Sequence, residues 1–410
     1  MMQSLFSKLH YIALYIFCFF PLLPNRIKGL PVVLLFLIAV FLWFKERKYS
    51  YPYKKVLFLS SLFLIYLIGL PYSENLIRID VTLSTRISLL IVPISFGLIK
   101  TTERNFGIIS FSIFNKLLML VTTVYSIWIL IYLYLLGVYN DTMNLSDAIA
   151  YISNEMWIIN QHPIYASIFI CISILLTIIS SLKEKTITTF LLVSPFLIVM
   201  ALTLFILARK GIIISFSFSF IVLVLYHLKK IAFKKLTLLL LVIFIIGFLT
   251  YTPIKNRFKE VFKIETYTTI NDKNSTSLRV GIYSCAIKKI MESPILGYGI
   301  GDVQLELNKC YSKRSDVLTK KTYNSHNQYL SYFLSNGIFG FLVLLIVLLK
   351  KLRDSIKQNN VFLLCMIVFF GISMLFENIL ERQSGVILFS FFFYLFSFYN
   401  FNNMEINEEN

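Results

Sequence analysis

The sequence predicts an all-α polytopic membrane protein with about twelve transmembrane helices and one large, partly helical loop. Of its 410 residues, 57% are hydrophobic and 15% are charged, whereas about a quarter of the residues of a soluble domain are charged. Hydrophobic runs recur from Leu9 to Phe401, which is more apolar sequence than one soluble core could bury. The interval 253–327 is too long for a connector, yet it contains periodic apolar residues. These observations exclude a soluble enzyme, a secreted domain, a coiled coil and a disordered chain.

Breaks in the hydrophobic runs, together with Lys, Arg, Pro and Gly, set the limits of the predicted spans. In chain order these spans are 9–24, 30–44, 56–71, 87–99, 117–137, 163–181, 187–207, 211–228, 236–252, 328–349, 361–377 and 385–401. The first span follows Lys8 without a small-residue cleavage site, so we interpret it as a retained helix. The predicted organisation is one integrated membrane domain with N-terminal spans (1–252), the large loop (253–327), and C-terminal spans with a short tail (328–410).

Basic residues predict how the spans are oriented. In the short connecting segments, Lys and Arg are much more frequent on the side that holds Lys45, Lys229 and Lys350 than on the other side. Cytoplasmic segments carry this excess in multi-span proteins, so we expect both termini inside and the segment 253–327 outside. The same rule accounts for the net charge of +18, and no nucleic-acid partner is expected.

The five cysteines fall into two groups. Cys18, Cys171 and Cys365 lie in apolar runs, where they are expected to pack as small hydrophobic residues. Cys285 and Cys310 both lie in the long loop, where an oxidising compartment would allow a disulfide. Two unpaired thiols are an equal alternative at this point.

Two of the four histidines are predicted to face outward at the start of a span, namely His162 and His326. A neutral imidazole beside water can act as a general base near neutral pH. The alternative is a structural residue at the membrane interface, and composition alone does not choose between the two. His10 and His227, at predicted cytoplasmic ends, are expected to be interfacial.

Charged residues interrupt the apolar sequence at two further places. Arg209 and Lys210 separate two spans so tightly that both cations are expected at or just below the outer interface. Intramembrane cations are costly and need a partner or an anionic ligand, although snorkelling to the interface is an equal alternative. At the second place, Arg382 is predicted to pair with Glu377 or Glu381.

Metal and nucleotide sites are not indicated by the sequence. The outer segments lack an Asp-x-Asp pair, and no Cys/His spacing suits zinc, so no metal or other cofactor is expected. The segment Gly297-Tyr298-Gly299-Ile300-Gly301 resembles a phosphate-binding loop only weakly, because no strand–loop–helix context or Walker lysine accompanies it. A tight turn against the membrane domain is the better interpretation.

Taken in order, several segments between about residues 160 and 390 resemble the O-antigen ligase and polymerase superfamily of bacterial envelope enzymes. These segments are His162-Pro163-Ile164-Tyr165, Ala208-Arg209-Lys210-Gly211, Ser277-Leu278-Arg279-Val280-Gly281-Ile282-Tyr283, Pro294-Ile295-Leu296-Gly297-Tyr298-Gly299, Ser325-His326-Asn327-Gln328-Tyr329-Leu330, Asn336-Gly337-Ile338-Phe339-Gly340 and Phe376-Glu377-Asn378 with Glu381-Arg382-Gln383. Their order, spacing and outward placement carry the resemblance. In one departure, Lys210 follows Arg209 where the family commonly has a single arginine before the glycine.

The resemblance implies an inverting, metal-independent glycosyltransferase of the GT-C type in the bacterial inner membrane, with both its large loop and its active site in the periplasm. Such an enzyme takes a glycan from undecaprenyl pyrophosphate and transfers it to an acceptor hydroxyl. A ligase uses lipid A–core as the acceptor, and a polymerase uses another lipid-linked repeat unit of the surface polysaccharide. We favour the ligase because the large loop holds both Arg279 and the approach to His326, and the polymerase is the alternative.

The family chemistry also implies roles for individual residues. Arg209 and Arg279, with Lys210, are expected to bind the donor pyrophosphate, because guanidinium groups bind such oxygens in bidentate geometry. His326 is expected to take the proton of the acceptor hydroxyl as a general base.

Three residues, His162, Glu377 and Arg382, are candidates for a supporting role at this site. The expected partners are the lipid-linked donor, the glycan acceptor and membrane lipids. Competing classes of function are a polysaccharide transporter or flippase and a non-catalytic assembly partner. A transporter usually places polar residues near the midplane, whereas the polar candidates here gather at one face.

Overall fold

The computed structural model describes residues 9–102, 108–137, 143, 147–149, 151, 161–184, 186–227, 263–271 and 274–402. Within these ranges the chain is helical, and its β structure is limited to one isolated bridge between Arg47 and Thr102. The helices are α1 (Leu9–Ile16), α2 (Leu30–Glu46), α3 (Tyr53–Ile68), α4 (Leu76–Arg86), α5 (Ser88–Ile99), α6 (Ile108–Leu135), α7 (Pro163–Glu184), α8 (Ile187–Leu207), α9 (Lys210–His227), α10 (Glu265–Thr268), α11 (Ser275–Glu292), α12 (Val303–Arg314), α13 (Asp316–Thr319), α14 (Gln328–Lys357), α15 (Val361–Phe376) and α16 (Gln383–Phe398).

Apolar helices account for most of the predicted spans. Within the part of the chain that the structure describes, seven are long and apolar enough to cross a membrane, namely Asn25–Glu46, Tyr53–Tyr72, Leu76–Ile99, Ser110–Leu135, Pro163–Glu184, Thr188–Leu207 and Gln328–Lys357. Shorter apolar helices occupy Tyr11–Leu22, Lys210–Tyr226, Val361–Phe376 and Gln383–Phe398, where spans are also predicted. The predicted span 236–252 lies outside the described residues. The prediction of a helical membrane protein is therefore confirmed, and the count of about twelve spans stays a prediction.

Two helices extend well beyond their predicted spans. Helix α6 begins at Ile108, before the predicted residue 117, and it includes Asn115, whose polar side chain is buried in the bundle. Helix α14 continues beyond residue 349 to Lys357, and the amines of Lys350 and Lys351 in this extension lie 4.2 and 5.9 Å from the centre of the Phe58 ring. Long cationic side chains can thus extend a helix beyond its apolar stretch.

Helix α16 lies at the centre of the bundle. Every residue from Gly385 to Phe398 is buried, and the helix packs against α5, α15 and α7. Helix α8 is the opposite case, because it exposes large apolar side chains such as Leu191 and Leu192. A helix that is apolar all round is buried in protein or faces lipid, and this bundle contains both kinds.

The long segment between α9 and α14 is described from residue 263 and has a small core of its own. Its helices α11 and α12 are joined by a disulfide between Cys285 and Cys310, whose Cα atoms are 5.7 Å apart. Both cysteines are buried together with Ile282, Leu307 and Leu334, the last of which belongs to α14. The structure therefore favours the disulfide over two unpaired thiols, and it packs the segment on the membrane bundle.

The glycine-rich turn before α12 packs against a kink in α14. The backbone of α14 leaves helical geometry at Asn336 and Gly337, and Gly337 has a φ of 59°. A Cβ atom at Gly337 would lie only 1.9 Å from the carbonyl oxygen of Ile295. The amide of Tyr298 donates to the carbonyl of Leu334 at 2.8 Å. The prediction of a tight turn against the membrane domain is confirmed, and α14 is locked to the turn at the point where it bends.

Candidate functional site

The turn between α8 and α9 presents Arg209 and Lys210. Helix α8 ends at Leu207, and Ala208 adopts a left-handed conformation with a φ of 47°. The amide of Ala208 donates back to the carbonyls of Leu204 and Phe205, which closes the end of α8. Because α9 begins at once, both cations are held half-buried at a fixed place instead of on a flexible loop.

A close contact sets this turn against the end of α15. A Cβ atom at Gly211 would lie 2.5 Å from Cβ of Phe376, so only glycine allows α9 to approach so closely. Phe376 is the last residue of α15, and Glu377 follows it directly. The sequence separation between Gly211 and Glu377 is large, but packing places the two turns next to each other.

Glu377 joins two of the predicted site residues. One carboxylate oxygen lies 2.5 Å from Nη2 of Arg279 in α11, and the other lies 3.2 Å from Nδ1 of His326. Burial raises the pKa of Glu377, but the hydrogen bond with His326 and the positive charge of Arg279 outweigh it. The net pKa is lowered, so Glu377 is a carboxylate at neutral pH.

The backbone around His326 is held in an uncommon conformation. His326 has a φ of 45°, which costs about 1 kcal/mol or more for a residue with a side chain. Its amide donates to the side chain of Asn324 at 3.2 Å, and its carbonyl accepts from the Tyr283 hydroxyl at 3.2 Å. Asn327 then caps α14 by accepting from the amides of Tyr329 and Leu330. These contacts aim the ring, whose side chain is 30% exposed, towards Glu377.

His162 lies near the same charges at the start of α7. Burial lowers the pKa of His162 to about 4, and the positive charges of Arg382 and Arg209 contribute to the same direction. Glu377 and His326 also act on it electrostatically. His162 is therefore neutral above about pH 5, and it marks the point where α7, the α8–α9 turn and the start of α16 meet.

The predicted pairing of Arg382 is wrong. Glu377 pairs with Arg279 and His326, while Glu381 lies 3.9 Å from Nη2 of Arg86 and accepts a hydrogen bond from Asn324. In the described ranges, Arg382 has no carboxylate within 4.0 Å, and it is exposed. The physical reason is that both glutamates turn inward to partners on other helices, whereas Arg382 stays at the rim where α16 begins.

The sequence analysis missed Arg86 as a residue near the site. Its side chain is buried, its Nε donates to the carbonyl of Leu380 at 3.0 Å, and its guanidinium lies 4.4 Å from the centre of the Tyr66 ring. In the sequence, Arg86 stands directly before a predicted span, and this position alone does not distinguish it from an ordinary charge of a connecting segment. The available signal was helical spacing, since Arg78, Thr82 and Arg86 fall on one face of α4.

Further contacts fix the segment 377–382 to the start of α14. The amide of Leu380 donates to Oε1 of Gln328 at 2.6 Å, and Ser325 and Asn378 form a buried hydrogen-bonded pair. The structure thus brings together Arg279, His326 and Glu377 directly, and His162, Arg209 and Arg382 around them. Lys210 adjoins Arg209 in the same turn. The roles of these residues stay predictions, as does the expectation that no metal takes part.

Similarity to a known protein family is found in the middle of the chain. A family model described as O-antigen ligase matches residues 195–345. This range contains Arg209, Lys210, Arg279 and His326, whereas His162, Glu377 and Arg382 lie outside it.

Two curated proteins are similar to part of the chain. An uncharacterised protein of Haemophilus influenzae is 30% identical over 145 residues, which are 33% of this chain and 36% of that protein. A protein of Rickettsia typhi, provisionally named a polysaccharide ligase, is 31% identical over 153 residues, which are 36% of each chain. The chain thus spans about a third of the length of the curated relatives that it matches. Together with the family match, this similarity confirms the resemblance to the O-antigen ligase family, and the family model places it in residues 195–345.

Proposed function

We propose that the protein is a membrane glycosyltransferase that moves a glycan from undecaprenyl pyrophosphate to an acceptor hydroxyl at the periplasmic face of the bacterial inner membrane. The observation that carries the proposal is the contact of Glu377 with both Arg279 and His326. It unites a cation from α11, a base at the start of α14 and a carboxylate at the end of α15. The family match supports the same class of enzyme.

His326 acts as the general base in this proposal. Because Glu377 is ionised and can only accept, Nδ1 of His326 carries the proton of their hydrogen bond. The second ring nitrogen, Nε2, then holds a lone pair that can accept the proton of the acceptor hydroxyl. Glu377 fixes this tautomer and stabilises the imidazolium that forms, as a carboxylate does behind the histidine of a hydrolase triad. A general base contributes about 10²–10⁴-fold to the rate.

Arg209, Lys210 and Arg279 bind the donor pyrophosphate. The acceptor oxygen forms a bond to the anomeric carbon while the bond from that carbon to the pyrophosphate oxygen breaks. Undecaprenyl pyrophosphate leaves with the electron pair, and the hydroxyl proton passes to His326. Direct displacement inverts the anomeric carbon. Cations that are already fixed beside the leaving oxygens stabilise the developing negative charge without any movement of the protein. Such electrostatic stabilisation is the largest contribution to the rate in many enzymes.

Ligation to lipid A–core is the favoured reaction, and polymerisation of repeat units is the alternative within the same superfamily. The segment that carries Arg279 also leads to His326 and packs on the bundle, so it can shape a site for a large acceptor. Half-buried His162 and exposed Arg382 lie beside this cluster, where they can contact the glycan or the pyrophosphate.

The test is the lipopolysaccharide of a deletion strain that carries either the wild-type gene or His326→Ala. Ligation predicts that the deletion loses every long band and accumulates lipid-linked polymer, and that only the wild type restores the ladder. A core that carries a single repeat would indicate a polymerase. An unchanged ladder, or rescue by His326→Ala at a wild-type level, would overturn the proposal.

Transfer by the isolated protein separates this proposal from transport and from a role in assembly. Purified wild-type protein is expected to move glycan from a lipid-linked donor to an acceptor, and Arg279→Ala and His326→Ala are expected to fail. If the purified protein transfers nothing while vesicles that contain it flip the lipid-linked glycan, the protein is a transporter.

A further inference from the structure

A second polar cavity lies beside the candidate site. It has a volume of about 100 Å³ and lies between one face of α4, the start of α12, the start of α14 and the turn that contains Glu381. Its polar lining includes Arg78, Thr82, Arg86, Gln304, Ser331 and Glu381. The family match begins at residue 195, so the α4 side of this cavity lies outside it.

The floor of the cavity is a hydrogen-bonded cluster in which the carboxylate of Glu381 faces the guanidinium of Arg86. Glu381 accepts hydrogen bonds from the Ser331 hydroxyl and from Nδ2 of Asn324, and it lies 3.9 Å from Nη2 of buried Arg86. A carboxylate offers about four lone-pair sites and a guanidinium five N–H groups. Nε of Arg86 also donates to the carbonyl of Leu380, and these contacts together still use only part of that capacity, so both groups can bind a ligand.

Helix α4 supplies the wall of the cavity. Arg78, Thr82 and Arg86 are spaced four residues apart, so they share one face of the helix and point in one direction. Arg86 is buried at the floor and Arg78 is exposed, so Arg78 marks the rim. Ser84, on another face of α4, is exposed and does not line the cavity.

The cavity adjoins the predicted base through one side chain. Asn324 donates to Glu381 on the cavity side and accepts from the backbone amide of His326 on the other side. Ser325, which also lines the cavity, precedes His326 directly in the chain. The side chain of Asn324 therefore separates a molecule bound in the cavity from the backbone of His326.

The lining is that of a site for a polyhydroxylated ligand. Hydroxyl groups, a carboxamide, a carboxylate and guanidinium groups can each donate to or accept from a sugar hydroxyl. A volume of about 100 Å³ corresponds to about three water molecules, which is room for one edge of a sugar ring. Because Glu381 balances Arg86, the floor is poorly suited to a free anion.

We infer that this cavity is a subsite for the acceptor glycan, in which the lining of α4 and Glu381 holds the edge of one sugar ring and so presents a neighbouring hydroxyl to His326. This inference rests on the proposed function, because it assigns the acceptor side of the same reaction. The subsite has a positioning role, since its residues do not touch the bond that forms.

Thiol protection tests occupancy without any transfer reaction. The native cysteines are either buried or joined in the disulfide, so Thr82→Cys provides an accessible thiol in the cavity. In purified protein, neutral hexoses and heptoses are expected to slow its alkylation by a maleimide several-fold and in a saturable way. Inorganic phosphate at the same concentration is expected to leave the rate unchanged. Ser84→Cys on the same helix is the matched control and is expected to show no protection.

Three results would overturn the inference. They are no protection by any sugar, equal protection of Ser84→Cys, and protection by phosphate alone, which would indicate an anion site. Transfer kinetics give a second readout, because Thr82→Leu fills the cavity. This variant is expected to raise the KM for the acceptor about tenfold and to leave the KM for the donor unchanged. Ser84→Leu is expected to change neither KM. A rise in the donor KM alone would also contradict the subsite.

The two proposals fail in distinguishable ways. Thr82→Cys combined with His326→Ala is expected to keep sugar protection while it loses transfer. If wild-type protein transfers no glycan and yet its Thr82→Cys variant is protected, the sugar subsite stands and the proposed reaction is wrong. If transfer is normal and protection is absent, the reaction stands and the acceptor binds elsewhere.

Discussion

The two carboxylate oxygens of Glu377 contact two different parts of the chain. Arg279 lies 98 positions before it, and His326 lies 51 positions before it. Since the side chain is mostly buried, loss of its charge leaves the guanidinium of Arg279 without its counterion and weakens the hydrogen bond that orients His326. Under the proposed function, this one residue therefore keeps the donor-binding arginine and the general base at a fixed distance from each other.

Glu377→Gln keeps the shape of the side chain and removes its charge. We expect kcat for glycan transfer to fall by at least about 10-fold and by as much as about 10⁴-fold, the loss seen when the carboxylate behind the histidine of a hydrolase triad becomes an amide. Transfer by the purified variant is the measurement. Glu292→Gln, which changes an exposed glutamate on the same side of the fold, is the control and should retain full activity. Unchanged kcat in Glu377→Gln would exclude the orienting role.

The low pKa of His162 predicts acid sensitivity. The unfolded chain binds a proton at this residue near pH 6.5, whereas the folded chain binds it only near pH 4. Stability from neutral His162 is thus fully present above about pH 6.5 and is lost as the pH falls towards 4. We expect the Tm of wild type to drop more between about pH 7 and pH 5 than the Tm of His162→Gln. Equal drops in detergent-solubilised protein would contradict a buried, neutral His162.

At the scale of helices, glycines set the distances between elements that carry the site. Gly211 lets α9 touch the end of α15, and Gly337 lets the kinked α14 touch the turn before α12. The backbone carbonyl of Ile295 would meet any side chain at Gly337, so this second contact cannot give way by a simple rotamer change.

Gly211→Ala is expected to separate the α8–α9 turn from Glu377. The new methyl group would lie 2.5 Å from Cβ of Phe376, so α9 or α15 must move. Such overpacking costs about 1–3 kcal/mol, and we expect at least a tenfold loss of transfer with a lowered Tm. Gly371→Ala in α15 is the matched control, because its Cβ would meet only the Tyr329 hydroxyl at an ordinary 3.7 Å. Equal activity of the two variants would show that the close contact has no functional role.

Sequence patterns predicted the helices better than the contacts between them. Apolar length and flanking charges set the spans, because each helix satisfies its own backbone hydrogen bonds in lipid. The motif order also placed Arg279, His326 and Glu377 among the candidates. The pairing of Arg382 was mistaken, because nearness in sequence to Glu377 and Glu381 does not reveal partners such as Arg86 from a distant helix.

At the scale of the whole molecule, the orientation of the bundle decides which compartment the site faces. The excess of Lys and Arg in one set of connecting segments predicts that the site faces outward. Arg279 and His326 lie on the same side of the fold as the disulfide between Cys285 and Cys310. Disulfides persist in oxidising compartments, so the covalent bond and the charge pattern support the same orientation.

Reporter fusions test this orientation. Green fluorescent protein fused after Asn410 is expected to fluoresce, because the C-terminus is predicted to be cytoplasmic. Alkaline phosphatase inserted between Lys320 and Lys321, both exposed, is expected to be active outside. The reverse pattern of activities would place the candidate site in the cytoplasm and would contradict a periplasmic reaction.

The central position of α16 has a consequence for the order of assembly. This helix follows every other described helix in the chain, and yet protein surrounds it from Gly385 to Phe398. During synthesis, the earlier helices enter the bilayer before the element that fills the space between them has been translated. We therefore expect the earlier helices to remain apart until α16 is inserted, with lipid or the insertion machinery in the space that α16 later fills. Because the segment 377–382 leads directly into α16, we expect Arg86, Glu381 and His326 to reach their final positions only after α16 has packed.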